Sequence, residues 1–93
     1  MDVLVKTEHR ALERLLTFAV GKGMQNKIVA DFLLAWWDAE RYGRFDLQRT
    51  VALNAALLED IAALATFVQR CSTHPEAMGY GEQFNAVIRK WRP

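Results

Sequence analysis

Cys71 and His74 stand at C-x-x-H spacing and His9 is the other histidine, so a metal in this 93-residue chain would find at most three Cys or His ligands. A tetrahedral zinc site takes four, usually with three or more of those two types. The pair therefore reads as a cysteine closing an apolar row and a solvated histidine ahead of Pro75. A Cys71 nucleophile with His74 as base is equally poorly supported, because no glycine-rich oxyanion loop surrounds it. Asp31, Asp38 and Glu40 share one helical segment, with Asp31 and Asp38 two turns apart on one face. Paired carboxylates can do acid–base work when a cleft desolvates one of them. These coincide with the only polar stripe of their segment, so they are expected to be its solvated side. Asp60 instead falls within an apolar row, and if buried it needs a basic partner, with Arg10, Arg14 and Arg89 as candidates. Gly21-Lys22-Gly23 and Gly79-Tyr80-Gly81 have the look of phosphate loops but follow no strand and complete no nucleotide fingerprint, so they read as turns. No catalytic set emerges, and the chain is expected to be no enzyme and to carry no cofactor.

Two basic groupings with aromatic company remain. Arg41, Tyr42, Arg44, Phe45 and Arg49 form one, and Arg89, Lys90, Trp91 and Arg92 the other. Arginine beside exposed aromatics is the composition of protein-interface hot spots and also of single-strand nucleic-acid surfaces. The candidate partner-binding residues are therefore Arg41, Tyr42, Arg44, Arg49, Arg89, Lys90, Trp91 and Arg92. Twelve Lys and Arg against eleven Asp and Glu leave a net charge of +1, which disfavours a dedicated nucleic-acid binder.

The elements that must hold these groups are helical. The chain is long enough for one domain, residues 1–93, and its 52% hydrophobic content is ample for a packed core. From Thr7 to Val20, Leu12, Leu15, Leu16 and Ala19 recur at i, i+3, i+4 and i+7, with Glu8, Arg10, Glu13 and Arg14 largely opposite, and Gly21 and Gly23 stop the helix. A second helix, Met24 to Arg41, is apolar nearly all round through Ile28, Val29 and the run Phe32 to Trp37, which places it centrally. Its Trp36 and Trp37 point about 100° apart, so burying both takes two neighbours. For a helix-turn-helix reader it would offer base edges little but apolar side chains. Asp46 is a credible N-cap for a third and longest helix, Leu47 to Cys71. There one row runs through Val51, Leu58, Ile61, Ala65 and Val68, and another through Leu53, Leu57, Leu64 and Phe67. Phe45 and Leu47 are expected to seal the turn before it. Thr73 and Glu76 have capping-box spacing for one short turn of helix, which Gly79 ends. A last helix from Glu82 to Trp91 carries Phe84, Val87, Ile88 and Trp91 on one face, with Tyr80 and Phe84 placing it. The predicted fold is all-α, a compact bundle of four helices plus a one-turn helix before the last.

The segments ADFLLAWWDAE (Ala30 to Glu40), RFDL (Arg44 to Leu47), GYGEQF (Gly79 to Phe84) and IRKWRP (Ile88 to Pro93) resemble an uncharacterised group of small bacterial proteins. That group is a domain of unknown function from proteobacteria and their mobile elements. The resemblance spans Ala11 to Pro93, with a departure at Arg44, where a second glycine before the Phe-Asp-Leu motif is expected. It implies a compact helical domain and a mobile-element setting, and no reaction.

The single cysteine excludes an intramolecular disulfide, and Met1 to Lys6 lacks the basic start and apolar run of a secretion signal. Charge-free stretches reach nine residues, short of a membrane span. A cytoplasmic protein without membrane contact is expected. With apolar surface beyond what four short helices hide, the leading expectation is a non-enzymatic protein that binds a partner protein, or a second copy of itself as a homodimer. The mobile-element resemblance sharpens this to an inhibitor of a host defence complex, such as an anti-CRISPR protein. The alternative is a nucleic-acid-binding accessory protein that uses the arginine and lysine groupings.

Overall fold

The computed structural model describes residues 6–43, 45–70 and 74–92, so Arg44, Cys71 and Thr73 lie outside the described residues. Helix α1 (Lys6–Ala19) buries Leu12, Leu15, Leu16 and Ala19, the row the periodicity marks, together with Ala11. Its C-terminal turn is closed by the Asn26 side chain, whose amide donates to the Phe18 carbonyl at 2.7 Å. Gly23, at φ 128°, then turns the chain into α2 (Met24–Trp37). As its composition requires, α2 is central: Ile28, Val29, Ala30, Leu33 and Leu34 are all buried, and it packs against α1 and α5 (Gly81–Trp91). Helix α4 (Ala55–Arg70) covers α1 on its other flank.

Trp36 and Trp37 find the two neighbours they need. Trp36 meets Phe67 and Phe84 edge-on, with ring centroids 6.3 and 5.9 Å away, while Trp37 stacks on Phe84 at 4.9 Å and meets the tilted His74 ring at 4.7 Å. Edge-on and offset contacts are the preferred aromatic geometries.

Two expected helices are each broken in two. At Asp38 (φ −154°, ψ 90°) the second leaves helical geometry, and its carboxylate accepts the Arg41 N–H at 3.2 Å to start the short α3 (Ala39–Tyr42). The third begins as a 3₁₀ turn (Leu47–Ala52), capped at Gln48 by Asp46 as expected, and then turns extended at Leu53. Asn54 restarts it by accepting the Leu57 N–H at 2.9 Å. Asn and Asp side chains compete with the helix for backbone donors in this way. The row through Leu53, Leu57, Leu64 and Phe67 is buried. Of the row expected through Val51, Leu58, Ile61, Ala65 and Val68, only Ile61 is buried, and the break rotates its first member away with the 3₁₀ turn: Val51 is 88% and Leu47 73% exposed. Leu47 therefore does not seal the turn, although Phe45 does pack edge-on against Phe32 at 5.4 Å.

The one-turn element is a 3₁₀ turn, Pro75–Met78. Its cap is His74, whose Nδ1 accepts the Glu76 N–H at 3.1 Å, so Glu76 is the partner of the neighbouring histidine. Gly79 ends the turn at φ 91°, in the left-handed region where a side chain would be strained. Tyr80 and Phe84 are buried and seat α5, and the Trp91 indole N–H donates to the Ala19 carbonyl at 2.6 Å. Among the described residues, no helix is long and apolar enough to cross a membrane.

Candidate functional site

The two basic groupings, 40 residues apart between Arg49 and Arg89 in sequence, each send one arginine to the same carboxylate. Asp31, on the central helix α2, is only 5% exposed, which corrects its expected place on a solvated stripe. Lys27 sits one turn earlier and reaches Oδ2 at 3.1 Å; Arg49, from the 3₁₀ turn, approaches the same oxygen at 3.6 Å. Arg92, just beyond α5, donates to Oδ1 at 2.9 Å. The Arg92 guanidinium also lies 6.0 Å from the centroid of the Tyr42 ring, within cation–π range. A buried carboxylate must be compensated, and here the compensation exceeds the need: three cations meet one anion. Among the described residues, no other carboxylate lies within ion-pair distance of these three.

The remaining candidates are distributed differently. Arg41 is exposed, and it is its backbone N–H that meets Asp38. Lys90 lies over the Trp91 ring at 5.4 Å, at the anchor that ties α5 to α1. Arg89 is exposed and lines a shallow groove with Glu82 and Gln83, apart from the Asp31 cluster. Arg44 lies outside the described residues.

The other buried carboxylates, Asp60 and Glu8, each take a two-pronged contact from one arginine. Arg14 forks onto Asp60 with contacts of 2.9 and 2.6 Å, the partner that burial demanded. The hydrogen bond that Arg14 donates to Asp60, aided by the charge of the carboxylate, holds the guanidinium above its ordinary pKa in spite of desolvation. Glu8 is buried rather than on the polar side of α1, and takes a two-pronged contact from Arg70 at 3.1 and 2.8 Å.

One constellation escapes the sequence. The Tyr80 hydroxyl meets His9 Nδ1 at 2.6 Å, and His9 Nε2 meets Glu13 at 3.1 Å. Only the i, i+4 spacing of His9 and Glu13 signals it; Tyr80 comes from 71 residues away. The order hydroxyl, imidazole, carboxylate is that of a nucleophile triad. Yet burial first, and the Glu13 charge second, push the Tyr80 phenol above 10.0, so it holds its proton more tightly, the reverse of an activated nucleophile. His74 is engaged on both ring nitrogens: Nδ1 accepts from Glu76, and Nε2 donates to the Trp37 carbonyl at 2.7 Å. Among the described residues, no three His, Cys, Asp or Glu side chains gather as a metal site.

The surface beside Asp31 combines charge with exposed aliphatics. Leu47 and Val51 flank Arg49 on the same 3₁₀ turn, and both face solvent while Arg49 turns toward Asp31. The chain belongs to a family of unknown function (DUF7673), whose model matches residues 9–92. No curated protein and no solved structure matches it.

Proposed function

We propose that this member of an uncharacterised family is a non-enzymatic interaction protein that docks onto a partner protein through the face around Arg49. The observation that carries the reading is the outward turn of Leu47 and Val51 beside a fixed cluster of basic side chains. Covering an aliphatic side chain of this size is worth roughly 1.5–3 kcal/mol, and in the lone chain that gain is forgone at both positions. Arg41, Tyr42, Arg49 and Arg92 add the residue types that dominate protein-interface energetics. The nucleic-acid alternative is less well supported, because Arg92 already lies over the Tyr42 ring and Lys90 over the Trp91 ring, where bases would stack. A mobile-element setting would make the partner a host defence complex, and restored phage plating on immune cells expressing the chain is the outcome expected of that narrower version.

The test places a photo-crosslinking amino acid at Leu47, at Val51 and, as a control, at exposed Ala62 on α4, in cells that naturally carry the protein. One discrete adduct shared by positions 47 and 51 and missing from position 62 is expected, and its mass separates a second copy from a different protein. No adduct, or the same adducts from all three positions, would remove this face from consideration.

A further inference from the structure

We infer that the partner presents an acidic peptide segment, whose carboxylates share Lys27, Arg49 and Arg92 with Asp31. The inference rests on the docking reading above and adds the chemistry of what docks. Three cations less one carboxylate leave a local charge of +2 in a cluster whose cations all contact Asp31. Asp31 uses both oxygens, Oδ1 for Arg92 and Oδ2 for Lys27 and Arg49. It cannot satisfy the donors around it, since each guanidinium carries five N–H groups and the ammonium three. The contact with Arg49, at 3.6 Å, is an ion pair rather than a hydrogen bond, so the donors of Arg49 are uncommitted to Asp31. The cationic side chains are also reachable: Lys27, Arg49 and Arg92 are 41, 36 and 31% exposed, against 7% for the Asp31 side chain.

Asp31 thus acts as an internal template. It gathers long, flexible side chains from α2, the 3₁₀ turn and the end of α5, and holds them pointing at one place before any ligand arrives. Such preorganisation lowers the ordering cost of binding, and Arg with carboxylate is the pair in which planar donors match planar acceptors. The aliphatic neighbours decide between anions. A peptide can lay glutamate or aspartate over the cluster and an apolar side chain over Leu47 and Val51, whereas a phosphate backbone has nothing to cover those two.

The experiment is an NMR titration of the intact chain with hexaglutamate at low salt, following the side-chain Nε–H signals of the arginines. Saturable shifts at Arg49 and Arg92, absent at the outlying Arg10 and Arg89, are expected, with affinity falling about tenfold in either Arg49→Gln or Arg92→Gln and falling again with added salt. Unchanged melting of the two variants would show that the loss is one of binding. Shifts spread evenly over all arginines, or affinity indifferent to both substitutions, would overturn the inference. If hexaglutamate fails while the crosslinks from positions 47 and 51 persist, the acidic class falls and the docking face stands; if the crosslinks fail as well, both fall.

Discussion

Asp60 and Asp31 are both buried aspartates on core helices, yet one is closed and the other is open. Asp60 has a single partner, Arg14, whose two-pronged grip answers one charge with one charge. Asp31 has three partners drawn from three parts of the chain and leaves charge to spare. Neutral pairing is what a fold needs to bury a carboxylate; surplus is beyond that need, and it coincides with the exposed aliphatic turn. The difference separates a fastening from a surface that can act on something else.

Substitutions at the two aspartates test that contrast most strongly. Asp31→Asn should cost about 3 kcal/mol of stability, because three converging cations lose the anion they share. Asp60→Asn should cost only about 1 kcal/mol, since the half-exposed Arg14 can swing into water. Urea unfolding reads both, and equal losses would erase the distinction. Added salt should restore part of the loss in the Asp31 variant, by screening repulsion among Lys27, Arg49 and Arg92, and little in the Asp60 variant.

Removing a cation should do far less than removing the anion. Arg49→Gln or Arg92→Gln alone should change stability by about 0.5 kcal/mol or less, because two cations remain on Asp31. A loss as large as that of Asp31→Asn would mean that all three cations are structural. The smallest effect concerns the network at Tyr80. Its phenol, raised above 10.0 by burial, binds its proton more tightly folded than unfolded. The stability this contributes is intact below pH 10 and is lost as pH climbs through the folded value of Tyr80. Tyrosinate absorbance of a Tyr42→Phe variant should titrate above 10.0, and a midpoint at or below it would show that Tyr80 is not held in this way.

Much of the fold could be read locally. The i, i+3, i+4 rows of α1 and α5, the all-round apolar α2 and the stop at Gly79 each follow from spacing alone. So did the need of Asp60 for a basic partner, because a carboxylate inside an apolar row has nowhere else to go. The helix breaks were harder. Asn54 sits inside a long apolar run where helix periodicity continues past it, and only its side-chain bond to Leu57 shows that it begins a helix rather than continuing one. That unseen break is why Val51 was expected in the core and stands in solvent.

The site divides along the same line. Sequence composition singled out Arg41, Tyr42, Arg49 and Arg92, because arginine with aromatics is legible without coordinates. It also kept two groupings separate and set Asp31 on a wet stripe, since a carboxylate on a polar stripe looks the same whether water or cations face it. By itself the sequence determined an all-helical chain with a central apolar helix, for the repeat of apolar residues every three to four positions is a local property. Only the tertiary structure decided that Arg49 and Arg92, the latter 61 residues from Asp31, converge on one buried carboxylate. Such a meeting depends on how helices pack, and no local pattern of residues encodes it.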